Sequence, residues 1–461
     1  MRTKSPNQPS DILSPRIDKS EKDMKSIGII GGGILGMSLA LFLAEKGFKI
    51  SIIEKDTELG GLVSPWQIGD YTWDRFYHVI LLSDKHLLSL LDRLGLTTDK
   101  INWNFTKTGF FTDGQYYSMS NIMEFLSFPP LSILHKLRLG FTIFYASKIK
   151  SYERLEKVTS IEWLTKFSGK RTVEKIWLPL LRSKLGEHYR LTSASFIWST
   201  IARMYAARRS GIKQEMFGYV NGGYATILDR FQKYLNKVTV GTRLNSTVIK
   251  ISQNDNYVLA ETAEGESWKF DDIILTVPCP QIAELCPQLS PSEKQRFRSV
   301  TYLGLMCASL IQKRPLGGYY YTNITDEWIP FTGVIEMTAL VNRDYFSGNS
   351  LVYLPRYITN DDPFWQKSDE TIQDKFLKAL KSMYPTFNRE DVLFFKMSKV
   401  KEIMPVITLN YSRDLLPPTR TSLKHVYLVN SAQIVDGTWN VNEVIRLAKR
   451  KAEEIGNLLS K

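Results

Sequence analysis

The chain has 461 residues, of which 43% are hydrophobic and 23% charged, and it carries a formal net charge of +13. This length suffices for two or three domains, and the composition is that of a globular protein. The basic balance favours anionic partners such as a nucleotide, an anionic small-molecule substrate or an acidic membrane surface, whereas the sequence contains no nucleic-acid-binding module and we expect no nucleic acid.

Residues 1–24 are polar, mix charges of both signs and lack the apolar segment of a secretory signal. They predict a disordered tail, and we expect a cytoplasmic protein, with the inner face of the membrane as a possible peripheral site. Residues 26–44 carry no charge and are nearly long enough to span a bilayer. Because five glycines interrupt them, we interpret this stretch as a strand, a turn and a helix.

A dinucleotide fingerprint follows the first predicted strand, residues 26–30. Its glycines permit the tight turn, the approach of a pyrophosphate to the backbone, and close packing of helix and strand. The helix predicted over 37–46 then directs its positive end at the phosphates. A second strand, 48–53, ends at Glu54, where a carboxylate accepts the ribose hydroxyls and disfavours a 2′-phosphate. The predicted cofactor contacts of the turn are Gly31, Gly33, Ile34, Leu35 and Gly36.

The next segment, Lys55-Asp-Thr-Glu-Leu-Gly60-Gly61-Leu62, resembles a known family. A glycine pair just after the second Rossmann strand is similar to that of the flavoprotein superfamily of monoamine oxidases, protoporphyrinogen oxidase, phytoene desaturases and UDP-galactopyranose mutase. The resemblance implies FAD as the cofactor, with Lys55, Gly60, Gly61 and Leu62 beside its pyrophosphate and ribityl chain. Many members have arginines flanking this pair, where this chain has Glu58 and Leu62.

Further stretches extend the resemblance along most of the chain. Residues 74–78 (Asp-Arg-Phe-Tyr-His) match a loop that relatives place against the flavin, which implies contacts from Phe76, Tyr77 and His78. His78 is the weak catalytic candidate, and the alternative is a structural histidine. The glycine pair at 222–223 resembles the start of a helix that leads into strands over 238–253, where the resemblance places Val248 against the adenosine.

Two later segments complete the predicted cofactor site. A buried strand over 272–278 ends at Pro278, and a strand from 425 ends at Asn430 and Ser431, where relatives commonly have Gly-Asp. A capped helix starts at 440–442 and runs to 459. The resemblance implies that this helix start, with Val441 and Asn442, lies at the flavin N1/O2 edge and stabilises the reduced anion.

The predicted fold class is α/β, a Rossmann-type FAD-binding domain with an inserted α+β substrate domain. The FAD-binding segments are 25–100, 215–285 and 420–461, and the substrate domain with its helical cap comprises 101–214 and 286–419. Strand-like runs at 300–312, 333–340, 350–358 and 392–399, around an amphipathic helix over 369–383, predict an antiparallel sheet covered by helices.

The predicted helical cap, residues 120–210, leaves two questions open. Residues 123–145 are rich in Phe, Leu and Ile beside several cations, which indicates either a surface that dips into an acidic membrane or an ordinary cap with an apolar inner face. Arg182, Lys184 and Arg203, with Arg208 and Arg209, either bind an anionic group of the substrate or form a solvated, salt-bridged face.

The sequence lacks the motifs of other chemistries. The three cysteines and five histidines have no metal-ligand spacing and no nucleophile elbow occurs, so we expect no metal. We therefore predict an FAD-dependent oxidoreductase of the protoporphyrinogen oxidase and amine oxidase type, which transfers hydride from a substrate C–H to flavin N5. One alternative is a non-redox flavoenzyme resembling UDP-galactopyranose mutase. Another is a flavin-free lipid- or partner-binding protein like the Rab GDP-dissociation inhibitor.

Overall fold

A computed structural model describes residues 24–206 and 216–460. Residues 1–23 of the predicted tail, and Arg208 and Arg209 of the predicted basic cluster, lie outside the described residues. The strands are β1 (Ser26–Ile30), β2 (Lys49–Ile53), β3 (Pro65–Ile68), β4 (Tyr71–Asp74), β5 (Ile80–Leu81), β6 (Ile101–Phe105), β7 (Thr108–Thr112), β8 (Gln115–Ser118), β9 (Met216–Val220), β10 (Gly241–Arg243), β11 (Val248–Gln253), β12 (Val258–Thr262), β13 (Ser267–Phe270), β14 (Asp272–Leu275), β15 (Tyr302–Gln312), β16 (Tyr321–Ile324), β17 (Gly333–Glu336), β18 (Ser350–Ile358), β19 (Val392–Pro405) and β20 (Val426–Leu428).

Fourteen α-helices are found in the described residues, in chain order. They are α1 (Ile34–Ala44), α2 (Lys85–Arg93), α3 (Ile122–Ser127), α4 (Ile133–Lys148), α5 (Ser160–Ser168), α6 (Lys170–Thr172), α7 (Leu178–Leu185), α8 (Ala194–Ala206), α9 (Gly223–Lys237), α10 (Cys279–Leu285), α11 (Pro291–Arg298), α12 (Asp369–Met383), α13 (Tyr411–Asp414) and α14 (Val441–Leu459).

A parallel five-stranded sheet forms the centre of the first domain, in the order β10-β2-β1-β14-β20. Its three central strands β2, β1 and β14 are mainly apolar because helices cover one face and a second sheet covers the other. Ile27 and Ile29 of β1 pack into the layer that contains α1, α9 and α14. Ile30 faces the opposite cluster, which includes the antiparallel sheet β11-β12-β13. This arrangement confirms the predicted Rossmann-type fold. The strands of its sheet come from separated parts of the chain.

A seven-stranded sheet forms the centre of the second domain, in the order β19-β15-β18-β17-β16-β7-β8. The bounds of β18 and α12 are those predicted, whereas β19 continues to Pro405. The predicted strand over 333–340 ends at Glu336, where a 3₁₀ turn begins. The sheet is antiparallel, as predicted, except at one position. There, β7 arrives from a distant part of the chain and pairs with β16 in parallel.

The helical cap lies between these two domains in sequence and packs beside the large sheet. Helix α4 contacts α5 and α8, and α7 contacts β18. The segment leading into α7 (Val173–Trp177) is a π-helix, and Pro179 stands in the first turn that follows. A separate three-stranded sheet, β5-β9-β6, includes Ile101–Phe105, just beyond the boundary that we predicted at residue 100.

Candidate active site

The fingerprint glycines form the turn between β1 and α1. Gly31 has a φ of +109°, a conformation that a side chain would strain. At Gly36 an added methyl group would overlap the carbonyl oxygen of Gly31, so helix and turn meet too closely for a Cβ. At Gly33 an added methyl group would find only the carbonyl oxygen of Gly60, 4.0 Å away. Gly33 is also the N-cap of α1 and provides no side-chain cap, so the first amides of α1 remain available to an anion.

Glu54 is fixed beside this turn by the backbone. One carboxylate oxygen accepts the Gly32 amide at 2.6 Å, and the other accepts the Asp56 amide at 3.0 Å. The main chain of Glu54 is paired with the segment before β11: its amide donates to Arg243 and its carbonyl accepts from Ser246. Val248, two residues beyond Ser246, begins β11. The structure thus brings the predicted ribose contact and the predicted adenosine contact to one end of the sheet.

The second glycine pair closes onto the first turn. Gly60 and Gly61 have φ values of +129° and +58°. The Gly60 amide donates to the Gly32 carbonyl at 2.9 Å, and Gly33 and Gly60 form an isolated parallel bridge. The neighbouring side chains that we predicted as contacts, Lys55 and Leu62, are exposed.

Arg75 supplies a cation at this pair, a contact that we had not predicted. Its guanidinium donates to the Gly61 carbonyl at 3.0 Å. Its Nε is buried and makes no hydrogen bond within the described part of the chain. A buried, unsatisfied guanidinium N–H beside a phosphate-binding turn fits an anionic group of a bound ligand. One feature of the sequence could have indicated this contact. Residues 58–62 lack the arginines that relatives have beside the glycine pair, so a cation had to come from another part of the chain.

The loop of residues 74–78, which contains Arg75, connects the glycine turns with the seven-stranded sheet of the substrate domain. Asp74 is buried, accepts the Tyr224 amide at 2.8 Å and receives the Tyr353 hydroxyl on its carbonyl at 2.5 Å. Burial raises the pKa of its carboxyl group to about 7. Phe76 is buried as well. The loop is therefore anchored to α9 on one side and to β18 on the other.

The imidazole of His78 has a lowered pKa, so we expect it to be neutral at pH 7. Burial lowers its pKa to about 4, although the hydrogen bond between Nδ1 and the Phe76 carbonyl, at 3.0 Å, opposes the shift. Its ring lies 5.0 Å from that of Tyr224. A half-buried, weakly basic ring suits orientation of a neighbour better than proton transfer at neutral pH.

The carboxy-terminal segment completes the cofactor side. The amide of the Asn430 side chain donates to the Val277 carbonyl at 2.8 Å, next to Pro278, and its oxygen accepts the Ala432 amide at 3.1 Å. Asn430 therefore ties β20 to the end of β14. The indole N–H of Trp439 donates to the Ser431 carbonyl at 3.2 Å.

The start of α14 presents backbone rather than side chains. Asn440 caps the helix through the Glu443 amide at 3.1 Å, so the first amides, including that of Val441, point out of the helix end. The side chain of Asn442 does not face the same way, since its oxygen accepts the amides of His86 and Leu87 at the start of α2. A contact from Asn442 to a flavin at this helix end would have to come from its main chain.

The predicted substrate cations have three different environments. The Lys184 ammonium lies 4.9 Å from the centre of the Tyr357 ring, whose hydroxyl is 3.2 Å from that of Tyr77. Arg182 pairs with Glu327 at 3.0 Å, on an exposed side of the cap. Arg203 pairs with Asp84 at 3.2 Å. Of these three cations, Lys184 is the one that contacts the ring of Tyr357, and the two arginines have carboxylate partners.

Comparison with known proteins identifies the family. The model of flavin-containing amine oxidoreductases matches residues 36–456. The chain belongs to this family. Zeta-carotene desaturase of Synechocystis sp. is 20% identical over 431 residues, which cover 82% of this chain and 86% of the relative. The protein is therefore an FAD-dependent oxidoreductase, and family membership favours an enzyme over the flavin-free binding protein.

Solved structures share the fold at low sequence identity. A protein named as a protoporphyrinogen oxidase, from Exiguobacterium sp. 255-15, has a TM-score of 0.72 at 18% identity, covering 95% of this chain and 99% of that chain. Reduced UDP-galactopyranose mutase also has a TM-score of 0.72, at 14% identity, with coverages of 94% and 96%. The likeness confirms the predicted fold class.

The residues at the glycine turns fit FAD. The open space at Gly33 and the uncapped start of α1 suit a pyrophosphate, and the guanidinium of Arg75 adds a positive charge there. The Glu54 carboxylate is held beside this turn by the Gly32 and Asp56 amides, and it would accept ribose hydroxyls there. No group of three or more His, Cys, Asp or Glu side chains within residues 24–206 and 216–460 could hold a metal ion.

Proposed function

We propose that the enzyme oxidises a C–H bond of an apolar small molecule that also carries an anionic group, as a protoporphyrinogen oxidase or amine oxidase type of reaction. The glycine turns and Arg75 would hold FAD, which would supply the hydride acceptor for this reaction. The observation that carries the proposal is the placement of Tyr77, Tyr357 and Lys184 at the substrate end of the loop whose other end contacts the glycine pair.

In this proposal the reacting centre lies between two fixed points of the loop. Arg75 contacts Gly61, and two residues later the hydroxyl of Tyr77 contacts that of Tyr357. A ligand that extends from the glycine turns along this loop therefore ends near the two hydroxyls. A substrate that faces this end of the cofactor lies against the hydroxyls of Tyr77 and Tyr357. The Lys184 ammonium lies over the ring of Tyr357.

The side chains at this position orient substrate rather than transfer protons. Burial raises the pKa of Tyr77 well above its ordinary value, and the neighbouring Tyr357 adds to the effect, so Tyr77 stays a neutral hydrogen-bonding group. The lowered pKa of His78 keeps its ring neutral, and the Asp74 carboxyl group is buried and accepts the Tyr224 amide. Lys184 has no carboxylate within ion-pair distance in the described part of the chain and can receive an anion of the substrate.

The test begins with purified holoenzyme under anaerobic conditions. Candidate donors of three classes, namely porphyrinogens, polyenes and amines, are mixed with the enzyme while the flavin absorbance is followed. Bleaching by a carboxylated apolar donor, with return of colour on admitting oxygen or a quinone, supports the proposal. If no donor bleaches the flavin, yet enzyme reduced beforehand with dithionite isomerises a nucleotide sugar, the mutase alternative replaces it.

A further inference from the structure

Helices α3 and α4 present an apolar surface to solvent, which we call the cap face. Of the eighteen exposed large hydrophobic side chains in the described ranges, nine lie in this single stretch of the chain. They are Ile122, Met123, Leu126, Ile133, Leu134, Leu137, Phe141, Phe144 and Tyr145. Isolated exposed apolar residues are ordinary, whereas a cluster of this kind marks an interaction surface.

Helix α4 has its large apolar side chains mainly on its outward side. Its inward side has Leu139 and Ala146 together with the polar Lys136 and Thr142, all buried. The Lys136 ammonium donates to the Leu126 carbonyl at 2.6 Å, and the Thr142 hydroxyl donates to the Arg138 carbonyl at 2.8 Å. The outward side has Leu134, Leu137, Phe141 and Phe144 at spacings of three and four residues. A helix surrounded by water places its large apolar side chains inward, so the outer side of α4 is built for a non-aqueous environment.

Cations border the cap face. Lys148 lies 5.2 Å from the centre of the Phe144 ring, and Lys166 lies 5.7 Å from that of Phe167. Arg138 and Lys150 are exposed beside them. Over residues 121–150 the only acidic side chain is Glu124, and it is engaged by Ser118 and the Ser120 amide. Residues 121–150 therefore carry more cations than acidic side chains.

Aromatic rings form a row between the apolar centre and this border. The rings of Phe141 and Tyr145 stack 6.1 Å apart, and those of Tyr145 and Phe167 stack 4.7 Å apart. Amphipathic rings beside lysine and arginine side chains are typical of the boundary between acyl chains and headgroups. Within residues 24–206 and 216–460, no helix is long and apolar enough to cross a bilayer.

We propose that the cap face docks on a bilayer that contains anionic lipids, with α4 parallel to the membrane plane. Leu137, Phe141 and Phe144 enter the acyl boundary, and Arg138, Lys148 and Lys166 contact the headgroups. Charge complementarity selects this occupant over a second copy of the chain, because a two-fold interface would place two positive borders against each other. The inference is independent of the substrate proposed above.

Vesicle co-sedimentation of the full-length holoenzyme tests the proposal. We expect binding to vesicles of phosphatidylcholine with phosphatidylglycerol, weaker binding to phosphatidylcholine alone, and weakening by salt. The double variant Phe141→Ser/Phe144→Ser should lower the partition coefficient by about tenfold or more, because two aromatic side chains leave the acyl boundary. Phe105→Ser is the matched control, since Phe105 on β6 has the same exposed fraction as Phe141, 55%. It should bind like the wild type.

Flavin absorbance and the thermal unfolding midpoint verify that each variant is folded. The proposal is overturned if folded wild-type enzyme does not bind acidic vesicles at low salt. Equal loss of binding in Phe105→Ser and in the double variant would also overturn it, because the effect would not belong to the cap face. A wild-type dimer that the double variant converts to a monomer, without any change in vesicle binding, would assign the face to a second copy instead.

Discussion

The hydroxyl groups of Tyr77 and Tyr357 lie 3.2 Å apart and join the loop of residues 74–78 to an interior strand of the substrate sheet. Tyr77 follows Arg75, which contacts the cofactor turn, and Tyr357 lies under the Lys184 ammonium. One short loop therefore sets the distance between the predicted cofactor site and the only half-buried lysine that contacts this tyrosine pair in residues 24–206 and 216–460.

Lys184→Met should weaken binding of an anionic substrate without changing the chemical step. A charge-assisted hydrogen bond contributes about 1.5–3 kcal/mol, so we expect KM for an anionic substrate to rise roughly tenfold or more while kcat stays within about twofold. KM for a neutral analogue, such as the ester of the same compound, should not change. Steady-state kinetics with the acid and the ester measures both.

Lys170→Met is the control for this experiment, since Lys170 is an exposed lysine of α6 that lies 3.8 Å from Glu174. Its kinetics should match those of the wild type. An equal rise in KM for acid and ester in Lys184→Met would contradict recognition of the anion and would indicate that the substitution disturbs packing against Tyr357.

Two glycines of the fingerprint should respond differently to the same substitution. Gly36→Ala places a methyl group on the Gly31 carbonyl oxygen, so we expect a lower thermal midpoint for the apoprotein and loss of FAD. Gly33 has a φ of −66° and open space for a methyl group. Gly33→Ala should therefore leave the apoprotein midpoint nearly unchanged and still weaken FAD, because the methyl group occupies the approach of the pyrophosphate. Calorimetry of apoprotein and holoenzyme distinguishes the two effects, and an unchanged FAD affinity in Gly33→Ala would place the pyrophosphate elsewhere.

Glu54→Gln should lower the affinity for FAD by about tenfold. The two carboxylate oxygens of Glu54 accept the Gly32 and Asp56 amides at 2.6 and 3.0 Å. The substitution replaces one of these oxygens with an NH₂ group, which then faces a backbone N–H or the ribose and cannot accept a hydrogen bond from either. Titration of the apoprotein with FAD, followed by flavin fluorescence, gives the dissociation constant. Glu58→Gln, an exposed carboxylate of the same segment, should bind FAD like the wild type. Equal affinities for Glu54→Gln and the wild type would remove Glu54 from the ribose contact.

Local sequence predicted the cofactor turn because its physics is local. The strand, turn, helix and acid from residue 26 to Glu54 are determined by spacing and by glycine conformation, and β1, α1 and β2 occupy this segment in the structure. The contact of Arg75 with Gly61 depends on the return of a loop fourteen residues later, which no periodicity records. The capping of α2 by Asn442, more than 350 residues away, was hidden for the same reason.

The orientation of α4 could not be obtained from its pattern. The sequence alternates apolar and basic residues in a way that suits either an inner or an outer apolar side. Which side of α4 is buried depends on the side chains of α5 and α8 that it packs against. One of them, Ser168, donates a hydrogen bond from its hydroxyl to that of Thr142 at 2.9 Å. Tertiary packing therefore decides which side of the helix faces solvent.

Asp74 should make the stability of the apoprotein fall as the pH rises. Burial raises the pKa of its carboxyl group from 3.8 to about 7, an effect larger than that of the hydrogen bond from the Tyr224 amide. Between pH 4 and pH 7 the unfolded chain releases this proton while the folded chain keeps it, so the free energy of unfolding decreases across that window. Above pH 7 Asp74 is ionised in both the folded and the unfolded chain, and the loss of unfolding free energy relative to pH 4 is complete. This loss is at most about 4 kcal/mol, because each tenfold change in proton affinity is worth about 1.4 kcal/mol.

Asp74→Asn removes the ionisation and keeps an oxygen for the Tyr224 amide. The variant should therefore match the wild type in unfolding free energy near pH 4 and exceed it by about 1–3 kcal/mol at pH 8. Denaturant unfolding of the apoproteins at several pH values measures the difference, with Asp92→Asn, an exposed position on α2, as the control. A constant difference between Asp74→Asn and the wild type from pH 4 to pH 8 would show that the Asp74 carboxyl group does not titrate in that window. A falling stability in both proteins would assign the pH dependence to other groups.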